Sequence, residues 1–278
     1  IIIMRHNTFG RLNWQVSKIG YGMWGMSDWS NSDEKSSNKA LDRAVELGCN
    51  FFDTAWAYGQ GKSEKILAGL LKRHASKKLY VATKIPPLQD VWPPNKASRL
   101  HDNYSKSHIQ NFAKKSVKNL NIETIDLLQF HVWEDTWADD DTWKEEIYQL
   151  KKAGICKGFG ISVNRWEPTN CLKALETGLI DSVQVIYNIF DQAPEDKLFK
   201  YCIKNNIAII ARVPFDEGSL TGKITLDSKW EKGDFRNVYF GDENLEPTVC
   251  RVEKLQADLN TEKSIAQTAL EFTSSHPA

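Results

Sequence analysis

The chain has 278 residues, of which 41% are hydrophobic and 26% charged, a composition typical of a globular protein and not of a disordered one. Its 36 Lys and Arg residues balance its 36 Asp and Glu residues, so no net charge attracts nucleic acid or an anionic membrane, and a small-molecule substrate is expected instead. The five cysteines form no CxxC pair or metal-ligand spacing, no apolar stretch is long enough to cross a membrane, and Ile1–Ile3 is too short for a signal peptide, so we expect a cytoplasmic protein without a metal site.

The first predicted element is a small hairpin. His6–Phe9 and Trp14–Val16 are separated by Gly10–Asn13, and two short apolar segments around a turn sequence are typical of paired antiparallel strands. Because this hairpin precedes the main pattern of strands, we expect it to close the bottom of the sheet that follows.

Strand-like and helix-like segments then alternate along the chain. Short, continuous, β-branched-rich apolar segments are typical of strands that are buried on both faces of a parallel sheet. The predicted strands are Ile19–Trp24, Asn50–Thr54, Leu79–Ile85, Ile125–Val132, Gly158–Val163, Ser182–Ile189 and Ala208–Val213. The predicted helices between them are Asp33–Leu47, Ser63–Arg73, Ser105–Leu120, Asp141–Ala153, Pro168–Thr177 and Glu195–Asn205. Ser63 is expected to cap its helix, and Gly48 and Gly154 to end theirs.

The alternation predicts an α/β fold in which the strands pair in parallel through right-handed crossovers. We expect a (β/α)8 TIM barrel formed by a single domain over residues 1–278. A doubly wound open sheet is the alternative, but the first strand is not followed by its glycine-rich turn. After the seventh strand come a polar loop, Thr221–Glu246, and two helices, Thr248–Asn260 and Glu262–Ser274. No eighth strand follows, so we expect the C-terminal end of the barrel to be incomplete, with its eighth strand missing from this chain.

Polar residues end six successive predicted strands. In barrels of this class the catalytic groups lie at the C-terminal ends of the strands, where they face one mouth. The candidates are Asp53, Lys84, His131, Ser162 with Asn164, Gln184 with Asn188, and Arg212. Any one of them alone is more often a helix cap, a solvated rim residue or a hydrogen-bonded core residue. Their repetition at the same place in each strand favours a shared site.

Several of these residues lie in segments that resemble the aldo-keto reductase family. The segment GCNFFDTAWAYG, residues 48–59, resembles one signature of that family, in which an Asp and a Tyr stand five positions apart. Lys84 in VATK and His131 in DLLQFH are similar to the other two members of its catalytic tetrad. Later segments match in family order: KGFGISVN (157–164), QVIYN (184–188) and RVPFDEGSLTGK (212–223). The resemblance runs from Ile19 to Lys223.

The resemblance implies a reductase of aldehydes and ketones in which Asp53, Tyr58, Lys84 and His131 are catalytic. Carbonyl reduction needs a hydride donor and an acid that protonates the oxygen. Tyr58 would be this acid, and the Lys84 cation would lower the pKa of its phenol from about 10. Asp53 would hold Lys84 in place, and His131 would orient the carbonyl group.

The resemblance also implies a nicotinamide cofactor, NADPH with NADH as a possibility. Ser162, Asn164 and Gln184 would bind the nicotinamide carboxamide, and Arg212 would stack on the ring where many relatives carry an aromatic residue. The loop 215–220 would offer backbone N–H groups to the pyrophosphate. The full set of expected cofactor residues is Gly22, Met23, Trp24, Ser162, Asn164, Gln184, Arg212, Val213, Pro214, Phe215, Asp216, Gly218, Leu220 and Lys223.

The ten tryptophans are more than a core needs, and four of them, Trp24, Trp56, Trp92 and Trp133, follow short apolar segments. We expect Trp24, Trp56 and Trp133 to line the substrate pocket. Two other functions remain open: a non-catalytic NADPH-binding partner subunit, and an aldolase-like barrel in which Lys84 forms a Schiff base. The family segment that would distinguish NADPH from NADH has no counterpart in this chain, and the sequence predicts neither the physiological substrate nor the oligomeric state.

Overall fold

The computed structural model describes residues 4–27, 33–89, 91–241, 243–259 and 262–278. Seven parallel strands form one curled sheet in which each strand pairs with the next along the chain, and β3 and β9 are its two edges. The strands are β3 (Tyr21–Gly22), β4 (Phe51–Asp53), β5 (Tyr80–Ile85), β6 (Ile125–Phe130), β7 (Cys156–Ser162), β8 (Ser182–Ile186) and β9 (Ala208–Arg212). All seven predicted strands and their parallel pairing are confirmed, and the fold is that of an α/β barrel whose described strands number seven.

The predicted N-terminal hairpin is confirmed, and it closes the bottom of the barrel. Its strands, β1 (His6–Phe9) and β2 (Trp14–Ser17), pair antiparallel to each other. The Phe9 ring stacks on Phe51 at the start of β4, with 5.3 Å between ring centroids, and Trp14 stacks on Tyr80 at the same distance. These aromatic contacts place apolar side chains at the lower end of the barrel interior, opposite the end at which active sites of this fold lie.

Helices cover the outside of the sheet. Their bounds are α1 (Glu34–Glu46), α2 (Lys62–Arg73), α3 (Leu100–Asn103), α4 (Lys106–Leu120), α5 (Asp141–Lys152), α6 (Leu172–Glu176), α7 (Leu198–Lys204), α8 (Arg236–Tyr239), α9 (Leu245–Asp258) and α10 (Ile265–Ser275). Asp33 and Ser105 cap α1 and α4 through their side chains, in the way that short polar side chains satisfy free N–H groups at a helix start. Helix α1 turns Leu41 and Val45 to the core.

Some predicted helix bounds were wrong. Gly61, with φ +90°, precedes α2, and Ser63 lies inside this helix, where its buried hydroxyl accepts from Thr54 and donates to the carbonyl of Met23 (3.1 Å). Ser63 therefore ties α2 to β3 and does not cap the helix. Helices α6 and α7 are shorter than predicted, because turns occupy the first residues of both segments. The short helices α3 and α8 were not predicted, and the predicted helix end at Asn260 lies outside the described residues.

The alternation of side chains along the strands separates two environments. Thr83 faces the outer helices, where its hydroxyl donates to the buried Glu64 on α2 (2.7 Å). Its neighbour Lys84 faces the enclosed side of the sheet, where it meets Asp53 (2.7 Å). Polar side chains at the upper ends of the strands are thus collected inside the barrel. In the described part of the chain no helix is both long and apolar enough to cross a membrane, and no cluster of His, Cys, Asp and Glu could hold a metal ion.

Candidate active site

The centre of the site is an ion pair at the upper ends of two neighbouring strands. Lys84 Nζ donates to Asp53 Oδ2 and to the carbonyl oxygen of Thr54, both at 2.7 Å. The Lys84 side chain is 1% exposed, and that of Asp53 is 12% exposed. Burial lowers the pKa of Lys84, but the negative charge of Asp53 and the contact with Tyr58 outweigh it, so the pKa lies above its ordinary value. The amine is therefore held as an ammonium ion.

Tyr58 lies beside this pair, in the loop between β4 and α2. Lys84 Nζ is 5.2 Å from the centroid of the Tyr58 ring. Burial raises the pKa of the Tyr58 phenol, and the positive charges of Lys84 and Arg212 act in the opposite direction without cancelling it. The expectation that Lys84 leaves Tyr58 with a lowered pKa is therefore corrected: Lys84 has the expected effect, but in the protein alone burial is the larger one.

His131 follows β6 directly and completes the cluster. Its backbone N–H donates to the Ile85 carbonyl (3.1 Å), and its ring meets the Tyr58 ring edge to face at 5.6 Å between centroids. Burial holds the pKa of His131 well below its ordinary value, and the charges of Lys84 and Arg212 add to that effect. The imidazole is therefore neutral at physiological pH. Its Nδ1 is buried and has no hydrogen-bond partner among the described residues.

A cavity of about 960 Å³ opens beside this cluster and extends between β3 and β9 to the hairpin. Asp53 and Tyr58 line it, and it is large enough for a cofactor with a small substrate. Nine of the expected cofactor residues line it: Gly22, Met23, Trp24, Gln184, Arg212, Val213, Pro214, Phe215 and Gly218. Residues that the sequence assigned to the cofactor thus come from both edges of the sheet and line a single cavity.

Five expected cofactor residues do not line this cavity. Asp216 accepts hydrogen bonds from Tyr239 and Arg165, and Leu220 is fully buried in a small core with α9 and α10. Lys223 is exposed on the loop beyond. Ser162 and Asn164 lie behind Gln184 on the adjacent strand and its loop. For Asp216 and Leu220 the reason is that their side chains are engaged by Arg165, Tyr239 and the small core with α9 and α10, which sequence spacing does not reveal.

Of the three tryptophans assigned to the substrate, only Trp24 lines the cavity, 42% exposed and edge to face with Phe235. Trp133 is fully buried and stacks on Phe130 in the core outside the sheet, so its assignment to the substrate pocket was wrong. Trp56 packs against Phe112 on α4 and does not line the cavity.

The structure adds residues that the sequence did not assign to the site. The Trp92 ring, 44% exposed, packs edge to face on His131 at 4.6 Å between centroids and so lies beside the central cluster. Gln129 of β6 also belongs here: it donates to Asp53 at 3.3 Å, as the expected Gln184 of β8 does at 3.0 Å. A signal for Gln129 was present, since it is the one uncharged polar residue in the apolar segment IDLLQF.

Comparison with known proteins gives a consistent result. The sequence model of the Aldo/keto reductase family matches residues 18–278. The chain is 29% identical to the aldo-keto reductase YhdN of Bacillus subtilis over 84% of this chain and 69% of that protein. It is 28% identical to the aldo-keto reductase yakc [NADP(+)] of Schizosaccharomyces pombe, over 86% of this chain and 72% of the relative. It is 27% identical to the NADH-specific methylglyoxal reductase of Escherichia coli, over 91% of this chain and 80% of the relative.

The three-dimensional comparison agrees with the sequence comparison. An aldo-keto reductase of Bacillus halodurans, solved in its holo form, superposes with a TM-score of 0.75 at 25% identity. The superposition covers 98% of this chain and 83% of that one.

Proposed function

This chain belongs to the aldo/keto reductase family, whose members are oxidoreductases, and from that premise we propose that it uses NAD(P)H to reduce aldehyde or ketone groups of small molecules to alcohols. The observation that carries the proposal is the contact of Lys84 with both Asp53 and Tyr58 at one end of the cavity. A phenol beside a fixed ammonium ion is suited to give up a proton to an oxygen on which negative charge develops.

The residues that border the cavity fit a nicotinamide cofactor. Gln184 Oε1 and Arg212 Nε are buried and have no partner among the described residues, which leaves one acceptor and one donor for a ligand such as a carboxamide. A Cβ added at Gly22 would meet nothing within 4 Å, so the chain leaves open space at this edge. A bound NAD(P)H would supply the hydride. The relatives include one named for NADP(+) and one for NADH, and the proposal covers both dinucleotides, with NADPH as the first choice.

Each of the four central residues has a task in this proposal. The neutral His131 offers a ring nitrogen to the substrate carbonyl and so orients it without adding charge. The Tyr58 hydroxyl donates its proton to the carbonyl oxygen, and the phenolate that remains is stabilised by the Lys84 ammonium. Asp53 keeps that ammonium in place (2.7 Å). Trp24 lines the space for the rest of the substrate, and Trp92 packs against His131.

The two alternative functions have less support. A Schiff-base lysine must be a neutral amine to attack a carbonyl group, whereas Lys84 has a raised pKa and both of its acceptors at 2.7 Å. A non-catalytic cofactor-binding subunit would have no use for Tyr58 and His131, whose rings are in contact beside the ion pair.

The proposal is tested by measuring NADPH and NADH oxidation over a panel of aldehydes and ketones. Tyr58→Phe should lower turnover by roughly 100- to 10,000-fold, the range for removal of a general acid. Cofactor affinity, measured by fluorescence titration, should change little because the substitution removes only the hydroxyl. Tyr148→Phe is the matched control, since Tyr148 is 58% exposed on α5 and should retain full activity. Undiminished turnover by Tyr58→Phe would refute the proposal.

A further inference from the structure

Asp53 is held by two glutamines that reach it from other strands of the barrel. Gln129 Nε2 on β6 donates to Asp53 Oδ1 (3.3 Å), and Gln184 Nε2 on β8 donates to Oδ2 (3.0 Å), the oxygen that Lys84 also binds. Gln129 is fully buried and Gln184 is 3% exposed. The strands β4, β6 and β8 alternate around the sheet, and side chains from alternate strands form one layer of a barrel interior. These three residues are such a layer.

The strand between the two glutamines leaves them room. Gly160 on β7 pairs with Gln129 on one side and with Ser182 on the other. A Cβ at Gly160 would lie 3.1 Å from Gln129 Cγ and 2.4 Å from Ser182 Oγ, which is too close for any other residue to be accepted without displacement. Glycine at this position therefore lets the Gln129 side chain extend into the interior.

A gain in folding stability does not explain why a glutamine donates to Asp53 from position 129. Its Oε1 is buried and has no partner among the described residues. A buried, unsatisfied polar atom destabilises the folded state, and an apolar side chain of the same shape would avoid that loss. A glutamine here gives Asp53 a donor that carries no charge, so it orients the carboxylate without competing with Lys84 for its negative charge.

On this basis, and resting on the function proposed above, we propose that Gln129 is a positioning residue. Together with Gln184 it fixes the plane of the Asp53 carboxylate, and the carboxylate in turn fixes the Lys84 ammonium against Tyr58. Gln184 also lines the cavity, where it is available to a ligand. Gln129 does not line the cavity, and among the described residues its side chain hydrogen-bonds to Asp53.

Loss of the Gln129 donor should change the acidity of the Tyr58 phenol. The charged and titratable groups that face this phenol are Lys84, Asp53, Arg212 and His131. Without the donor from Gln129, Asp53 Oδ1 loses its hydrogen bond, so the carboxylate can turn about the contacts of Oδ2, its charge is less compensated, and Lys84 is less firmly fixed beside the hydroxyl. Both changes make Tyr58 a weaker acid. Proton donation therefore suffers more than substrate binding.

The test compares Gln129→Met with Ser182→Ala. Methionine has the shape of glutamine without the donor. Ser182 is the matched control, because it is fully buried on β8 in register with Gly160 and its Oγ makes no hydrogen bond to any described residue, Asp53 included. We expect Gln129→Met to lower kcat about ten- to a hundredfold, the range for a hydrogen bond to a charged group, while KM for the carbonyl changes little. Ser182→Ala should keep both constants.

A second readout does not depend on turnover. In protein labelled with carbon-13 at tyrosine Cζ, the Tyr58 signal is identified by its loss in Tyr58→Phe. Because this carbon senses polarisation of the hydroxyl, its signal should shift in Gln129→Met and stay unchanged in Ser182→Ala. If the wild-type protein reduced no carbonyl compound, the proposed function would fail, but the spectrum would still decide the role of Gln129.

A third variant adds a pH dependence that a purely structural role would not produce. In Gln129→Glu the introduced carboxyl group donates to Asp53 only while it is protonated, and it repels Asp53 when ionised. Activity should therefore be retained at low pH and fall as pH rises, in a step that the wild-type profile lacks. The proposal is overturned if Gln129→Met leaves kcat and the Tyr58 signal unchanged, if Ser182→Ala has the same effects, or if Gln129→Glu shows no such step.

Discussion

The ion pair between Asp53 and Lys84 allows a quantitative prediction. At an effective dielectric constant of about 20, two unit charges at their separation of 2.7 Å attract by about 6 kcal/mol, and this attraction offsets the desolvation of both groups. Removing one partner leaves the other buried without compensation, which typically costs about 3–5 kcal/mol. We expect Asp53→Asn to lower the free energy of unfolding by this amount.

The two single variants should not be equivalent. After Asp53→Asn, Lys84 retains neutral partners such as the Thr54 carbonyl but no carboxylate, with its side chain 1% exposed. After Lys84→Met, Asp53 still receives hydrogen bonds from Gln129 and Gln184, and its side chain is 12% exposed. We therefore expect Lys84→Met to cost about 1–3 kcal/mol, less than Asp53→Asn.

The contribution of Lys84 to the free energy of unfolding should depend on pH, with opposite signs in the wild type and in Asp53→Asn. In the wild type the folded pKa of Lys84 is raised above its unfolded value, so its contribution to stability is fully present below about pH 10.4 and is lost as pH rises through the folded pKa. In Asp53→Asn the buried ammonium has lost its counter-ion, and its folded pKa should fall below the unfolded value. Stability of this variant should therefore rise with pH up to about pH 10.4.

Guanidinium denaturation at several pH values, followed by tryptophan fluorescence, measures both effects. Glu46→Gln is a suitable control, because its ion pair with Arg43 is 57% and 65% exposed and its removal should cost less than about 1 kcal/mol at any pH. Equal losses in the two single variants, or a stability of Asp53→Asn that does not change with pH, would refute the reasoning.

Four further predictions concern single residues. Gly160→Ala should destabilise the fold by about 1–3 kcal/mol in denaturation experiments, since its Cβ would lie 2.4 Å from a neighbouring hydroxyl. Gly22→Ala should fold normally but bind cofactor more weakly in a fluorescence titration, and unchanged binding would argue against the cofactor assignment. The folded pKa of His131 lies below its unfolded value, so the free energy of unfolding should fall as pH drops below about 6.5, and His131→Asn should reduce that dependence. Tyr239→Phe should cost about 1–3 kcal/mol, because the phenol hydroxyl donates to Asp216 (2.6 Å) and accepts from Arg165 (2.7 Å); an unchanged melting curve would contradict this.

Much of the architecture was predictable because it follows from local rules. Short, mostly apolar segments such as Ile125–Phe130 are typical of strands buried on both faces, and the helical segments between them favour parallel pairing. The residue that ends each strand then lies at a known end of the barrel, which is why Asp53, Lys84 and His131 could be assigned to one site. The helix starts were less predictable: Ser63 has the residue type of a cap, but Gly61 takes the turn and the Ser63 hydroxyl bonds to another element.

The direction of each side chain was harder to predict than its place along the chain. Trp133 is two residues beyond His131, but it is turned into the outer core against Phe130, and only the packing of α5 against the sheet decides that. Likewise, the sequence shows that Lys84 and Tyr58 belong together, whereas the pKa of Tyr58 depends on how deeply the assembled barrel buries it.

The sequence by itself determined the order of the strands and the chemical types of the central residues, since both depend on patterns within short segments. Only the tertiary structure decided which groups surround Asp53. Gln129 and Gln184 are 76 and 131 positions away from it, and they meet it because the curled sheet brings alternate strands to the same interior layer.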